Sequence, residues 1–182
     1  MNNIKKYLNF GTEVLKARLM RRNIPVLVVL CVTDRCNLTC AYCYQKSFRG
    51  QKIEFTTDEI FSLIDELSEM GTKFISINGG EALMRDDIEL VIDKINKKNL
   101  LVQLTTNGQL ITRKINVLKK VDSLCVSLDG MKESNDLNRG RGSYEKIIEG
   151  LECLKANNIK FHTNTVISKN NLNAVDEIMA LA

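Results

Sequence analysis

Three cysteines stand close together in Cys36-Asn37-Leu38-Thr39-Cys40-Ala41-Tyr42-Cys43. A loop that folds back over this span brings three thiolates onto one centre, and soft sulfur ligands select zinc, copper(I) or an iron–sulfur cluster. Buried structural cysteines do not need such tight spacing. A closed zinc site requires a fourth protein ligand, yet the sole histidine, His162, falls inside a predicted strand far along the chain, and no second cysteine pair exists. Electron-transfer clusters use four cysteines. A cubane held by three leaves one iron open to a substrate or cofactor, so three rather than four is itself a chemical signal.

The elements that must position this loop alternate in period from residue 24 onward. Runs rich in β-branched residues recur at Pro25–Thr33, Lys73–Asn78, Leu100–Thr106, Ser123–Leu128 and Lys160–Ser168. Between them apolar residues return at helical spacing. Ile60, Leu63, Ile64, Leu67 and Met70 form one stripe, opened by the capping-box signature Thr56-Thr57-Asp58-Glu59 and closed by Gly71. Ile88, Val91, Ile92 and Ile95 form another. Tyr144, Ile147, Ile148, Leu151 and Leu154 form a third, with Ser143 as its expected N-cap. A last helix is expected over Asn173 to Ala182. Strands that alternate with helices and read as apolar runs imply parallel pairing with both faces buried. Five strand–helix units fit a doubly wound sheet or a partial barrel; both place chemistry at the C-terminal ends of the strands.

Composition narrows the class. A chain of 182 residues fits one domain, and 44% apolar with 26% charged residues is ordinary for a protein that buries a core. The net charge of +4 comes with 5% aromatics and no Trp, so no nucleic-acid partner is expected. The apolar run Ile24–Val32 is about half of a membrane span, and no small-residue cleavage site follows it. Clustered rather than framework cysteines point to a reducing cytoplasm. Residues 3–22 read as a basic amphipathic helix. Ile4, Tyr7, Leu8, Val14, Leu15 and Leu19 fall on one face, with Lys5, Lys6, Lys16, Arg18, Arg21 and Arg22 on the other. That pattern predicts a helix packed across one end of the core, or a helix in peripheral contact with a membrane surface. Cys31 and Cys125 in strands, Cys153 in a helix, and His162 are expected to be core residues without a ligand role.

The predicted strand ends carry further polar motifs. Asn78-Gly79-Gly80-Glu81 follows the second strand, Thr105-Thr106-Asn107-Gly108 the third, and Ser127-Leu128-Asp129-Gly130 the fourth, with Arg139 beyond it. Glycines permit close backbone approach, a carboxylate accepts from an ammonium, and the planar fork of Arg suits a carboxylate. The C-x3-C-x2-C spacing, with aromatic Tyr42 before the last cysteine, resembles the signature of the radical S-adenosylmethionine (radical SAM) superfamily. Over residues 26 to 182 the other motifs resemble that family's in order, closest to the branch of molybdenum-cofactor cyclases and SPASM-type peptide-modifying enzymes. Ala82 stands where the family usually has proline after Gly-Gly-Glu.

The resemblance implies an α/β fold, a partial (β/α)6 TIM-like barrel. Five of its strand–helix units lie in residues 24–182, after an N-terminal helix in residues 1–23. It implies a 4Fe-4S cluster on Cys36, Cys40 and Cys43, and S-adenosylmethionine held by Tyr42, Gly79, Gly80, Glu81, Thr106, Asn107, Ser127, Asp129 and Arg139. Glu81 would meet the methionine ammonium and Arg139 its carboxylate. The implied activity is reductive cleavage of S-adenosylmethionine to a 5′-deoxyadenosyl radical that takes hydrogen from a substrate, a peptide or a cofactor precursor. An electron donor of flavodoxin or ferredoxin type is then a partner. The family's sixth strand and any C-terminal domain are missing from the pattern, which implies a chain cut short and an open, self-associating edge at Lys160–Ser168. The alternative is a non-catalytic iron–sulfur or zinc binding module.

Overall fold

The computed structural model describes residues 2–44, 54–172 and 175–181. Its sheet holds β1 (Leu27–Cys31), β2 (Phe74–Asn78), β3 (Leu101–Thr106), β4 (Ser123–Ser127) and β5 (His162–Asn164). Every neighbouring pair is parallel, and the order in space is the order in sequence. A doubly wound sheet reverses its order at a switch point. This one steps round in a single direction, as the staves of a barrel do. The fold is a partial α/β barrel.

The helices are α1 (Asn2–Leu19), α2 (Thr57–Met70), α3 (Ile88–Lys97), α4 (Ile115–Leu118), α5 (Lys132–Arg139), α6 (Ser143–Ala156) and α7 (Val175–Leu181), with a 3-10 turn at Ala82–Met84. The expected helix over Asn173–Ala182 is described only from Val175 to Leu181; its first two residues and its last lie outside the described residues. The capping box of α2 forms as expected: Thr56 Oγ1 accepts from Glu59 N, and Glu59 accepts from Thr56 N at 2.7 Å. Gly71 closes that helix in the left-handed region, at φ 104°. The start of α6 differs from expectation. Ser143 is its first residue and Gly142 its cap, and no side chain of the cap closes it. Asp136 of α5 does so instead, accepting from Gly142 N (2.7 Å), Tyr144 N (2.9 Å) and Ser143 Oγ (3.1 Å). A carboxylate satisfies more free N–H groups at a helix start than a hydroxyl can, and this one also ties two helices together.

Sheet register explains why the strands are not buried on both faces. One face carries Ile75, Ile77, Val102, Leu104, Leu124 and Val126, all essentially inaccessible beneath α2, α3 and α6. The concave face is mixed: beyond the apolar row of Leu27, Phe74 and Leu101, Val29 stands in a row with the polar Ser76, Gln103 and Ser123. Thr105, Cys125 and His162 lie in the next row on β3 to β5. The expectation of core positions for Cys31 and His162 is therefore corrected, since both are exposed on this open face. Cys125 is buried, but it belongs to the same row, and Cys153 on α6 is half-buried.

Two further expectations change. The fifth strand is three residues long, not nine, and its side chains are exposed. Beyond Asn164 the chain turns over the end of β4, where Val166 N donates to Asp129 Oδ1 (3.0 Å) and Asn171 Nδ2 to Asp129 O (2.9 Å). A short polar edge does not template aggregation, so the self-association expected of a long edge loses its premise. Helix α1 does pack at the N-terminal ends of the strands, but by the face predicted to be solvated. Lys6 is buried, donating to Asp122 Oδ2 and Asn96 Oδ1, both at 2.8 Å, and Phe10 packs against Phe74. The predicted apolar stripe points outward.

Arg85 fastens the segment that carries the cysteines. It is 5% exposed, and Nη1 donates to the carbonyls of Val32 and Phe55, one on each side of that segment, at 2.9 Å. Asp87 completes the clasp by accepting from Nε and Nη2 at 2.7 Å and from Thr57 Oγ1 at 2.6 Å. The Arg85 hydrogen bonds hold its carboxyl down to about 2. A depressed folded-state pKa contributes stability above the unfolded value, about 3.9, and loses it as pH falls through the folded value. Asp87→Asn is therefore expected to cost about 2 kcal/mol near neutral pH. The gap between variant and parent in thermal melts should shrink between about pH 4 and 2; a constant gap across that window would disprove the clasp.

Candidate active site

The polar turns at the C-terminal ends of the strands meet the cysteine loop. Backbone pairing of β1 with β2 continues past the strands: Val32 N donates to Asn78 O, Gly80 N to Thr33 O and Glu81 N to Arg35 O, at 2.8–3.0 Å. Only glycine allows this. A Cβ on Gly80 would lie 2.3 Å from Arg35 O, and one on Gly79, whose φ is 151°, would lie 2.5 Å from Thr33 O. The close approach made by these glycines is thus to the cysteine loop itself.

Two other strand ends hold the same loop. Asn107 Nδ2 donates to Asn37 Oδ1 at 2.8 Å and lies 3.7 Å from Cys36 Sγ. Ala41 N donates to Asn138 O at 2.7 Å, and Tyr42 Oη donates to Asp129 Oδ2 at 2.5 Å. Burial, the hydrogen bond to Asp129 and that carboxylate's charge raise the Tyr42 phenol, so it stays a donor; the Arg139 cation, 5.8 Å from the ring, opposes this.

Cys36, Cys40 and Cys43 line one cavity of about 330 Å³. Tyr42, Gly79, Gly80, Thr106, Asn107, Ser127 and Arg139 line it with them. Burial raises the Cys40 thiol, and the neighbouring Cys36 and Cys43 add to the rise.

Glu81 and Asp129 stand behind the wall rather than in it. Glu81 is 1% exposed and accepts from Leu83 N (3.1 Å), Thr106 Oγ1 (2.9 Å) and Asn107 N (2.7 Å). Burial raises its carboxyl, while those donors hold it back. It locks the β2 turn to the β3 turn. Asp129, fully buried, carries Arg139: Nη2 donates to Oδ1 at 3.1 Å, and Nε lies 2.9 Å from Oδ2. The Nε–H is not aimed at that oxygen, so a buried donor is left without a hydrogen bond among the described residues. Asn78 lines the cavity, and its Oδ1 is a buried acceptor in the same condition. One unused donor on a cation and one unused acceptor suit the carboxylate and ammonium ends of an amino acid.

Residues 30–182 match the family model described as the Radical SAM superfamily. The chain belongs to the radical SAM superfamily. It is 35% identical over 166 residues to the AdoMet-dependent heme synthase of Methanosarcina barkeri, covering 88% of this chain and 48% of that protein. It is 37% identical over 148 residues to the GTP 3′,8-cyclase of Clostridium perfringens, covering 75% and 45%. It is 32% identical over 164 residues to mycofactocin maturase MftC of Mycolicibacterium smegmatis, covering 87% and 42%. The chain thus spans about half the length of the curated relatives it matches. Streptococcus suis SuiB bound to precursor peptide SuiA shares the fold with a TM-score of 0.76 at 20% identity, over 93% of this chain and 39% of that one. The anSMEcpe structure with bound AdoMet and a peptide does so with a TM-score of 0.70 at 21% identity, over 85% and 46%.

Radical SAM enzymes carry a 4Fe-4S cluster and S-adenosylmethionine. The donor set here fits both: three soft ligands on one cavity, and beside them the unused Arg139 donor and Asn78 acceptor. No group of three or more His, Cys, Asp or Glu among the described residues is arranged around a single metal ion. A cubane takes one thiolate per corner, which sets its ligands wider apart than those of a mononuclear zinc site. His162 does not line the cavity. Asn78 and Thr105, quoted in the motifs but given no cofactor role, line it, as do Tyr44, Asn164 and Val166, which no motif marks. The signal that finds Asn78, Thr105, Asn164 and Val166 is position, since each lies within two residues of the C-terminal end of a parallel strand.

Proposed function

We propose that this chain is the catalytic core of an enzyme that cleaves S-adenosylmethionine reductively and uses the 5′-deoxyadenosyl radical to take hydrogen from a substrate. The observation that carries the reading is the convergence on one cavity of Cys36, Cys40 and Cys43 with Arg139 and Asn78, each of which holds a buried polar atom without a hydrogen bond among the described residues. Cys36, Cys40 and Cys43 would hold the cluster, which supplies one electron to the sulfonium once a flavodoxin- or ferredoxin-type donor has reduced it. Arg139 would take the methionine carboxylate on its guanidinium, and Asn78 Oδ1 the ammonium. Glu81 would act from behind, by fixing the Thr106 and Asn107 backbone against the cofactor. Ser127, at the end of β4, presents a hydroxyl of the kind that pairs with ribose.

The concave face bears on the substrate. Ser76, Gln103, Ser123 and Thr105 offer neutral donors and acceptors, with no full charge among them. Such a wall suits amide groups better than the phosphates of a nucleotide, so a peptide is the substrate class we favour, as SuiB and anSMEcpe are bound to peptides.

Anaerobic reconstitution of the full-length protein tests the reading. Spectra of the reduced cluster should shift when S-adenosylmethionine is added, and 5′-deoxyadenosine should accumulate with dithionite. A cluster indifferent to S-adenosylmethionine would make the chain a non-catalytic iron–sulfur module.

A further inference from the structure

Helix α1 carries an exposed apolar surface, remote from the cavity. Its apolar stripe is solvent-exposed: Ile4 68%, Leu8 66%, Leu15 58% and Leu19 74%, with Tyr7 at 46%. Such side chains, together with Gly11 and Thr12, form a shallow apolar hollow along the helix. The exposure follows from how the helix is anchored. Lys6 and Phe10, on the opposite side, are committed to Asp122, Asn96 and Phe74, so the stripe cannot turn inward without breaking a buried ion pair.

The charges around the stripe say what covers it. Lys5, Lys16, Arg18, Arg21 and Arg22 are all exposed, and Glu13 is the one acidic residue between Met1 and Arg22. Glu13 is taken up by Lys16, at 2.9 Å. An apolar stripe flanked by cations matches a surface that is apolar beneath and anionic above, as a bilayer of acidic lipids is. A second copy of this chain would bring like charges together. Position agrees with a bilayer: α1 lies at the N-terminal ends of the strands, opposite the cavity, so a membrane there leaves the mouth of the site open.

We propose that α1 seats this protein on an anionic bilayer, with Ile4, Leu8, Leu15 and Leu19 in the acyl boundary and the flanking Lys and Arg on the phosphates. No helix among the described residues is long and apolar enough to cross a membrane, so the contact is peripheral. It holds whatever the cavity binds.

Sedimentation of the full-length protein with vesicles tests this, using phosphatidylcholine alone and phosphatidylcholine with phosphatidylserine. Binding is expected to the anionic vesicles and only weakly to the neutral ones. Replacing Arg18, Arg21 and Arg22 together by Gln should weaken it on the order of a hundredfold. Leu8→Ser/Leu15→Ser should abolish it with an unchanged melting temperature, because both positions are already in solvent. Failure to sediment with either vesicle overturns the proposal. So does a stable dimer that the same serine pair dissociates, since that would make a second copy the occupant.

Discussion

Alanine at Cys36, Cys40 or Cys43 is expected to abolish the iron–sulfur cluster, and with it all turnover, whereas Cys31→Ala, Cys125→Ala and Cys153→Ala retain iron. The expectation rests on placement. The first three share a loop fastened on three sides, by the Gly79-Gly80 pairing, by Asn107 and by Asn138, and all three reach one cavity. Cys31 and Cys125 lie in the sheet and Cys153 on α6, and none of them lines that cavity. Since two thiolates cannot hold three corners of a cubane, each loss should be complete rather than graded. Iron and sulfide counts after anaerobic reconstitution give the answer for each variant. Iron retained in Cys40→Ala but lost in Cys125→Ala would move the centre onto the concave face and sink the assignment.

What could be read without coordinates follows how local its causes are. The cysteine loop was legible because ligand spacing is a matter of eight consecutive residues, and the strand-end motifs because each parallel strand must end at the same rim. The capping box of α2 was legible for the same reason, its partners being Thr56 and Glu59. The orientation of α1 was not. It turns on Lys6 finding Asp122, 116 positions away, and a helical wheel gives two faces without saying which one the core will take. Glu81 was misjudged similarly. Its motif places a carboxylate at the rim, but Thr106 and Asn107, from a different strand end, draw it inward, out of the cavity wall. The concave face needed register: LVVLC reads as an apolar run, and only its alignment with FISIN and LVQLTT shows that alternate positions stand on an open face beside Ser76 and Gln103.

Arg139 has two tasks that a single substitution confounds, and separating them gives the second large effect. Asp129 is fully buried, and Arg139 is its only cationic partner among the described residues. Removing that cation leaves the carboxylate, among the described residues, with the Tyr42 hydroxyl and the Val166 backbone N–H as its hydrogen-bond donors. Breaking a buried pair from one side costs about 3–5 kcal/mol, because the remaining charge stays desolvated. Arg139→Met is therefore expected to lower the thermal midpoint sharply and to weaken S-adenosylmethionine binding at once. Asp129→Asn/Arg139→Met removes both charges; an amide at residue 129 still accepts from Val166 N and donates to Tyr42 Oη. Most of the stability should return in this double variant. Affinity for S-adenosylmethionine should not, since a lost charge-assisted hydrogen bond costs about 1.5–3 kcal/mol, or roughly tenfold to a hundredfold. Melting curves and anaerobic titration calorimetry on the parent, both single variants and the double read the two tasks separately. If affinity returned together with stability, Arg139 would be a partner of Asp129 and nothing more.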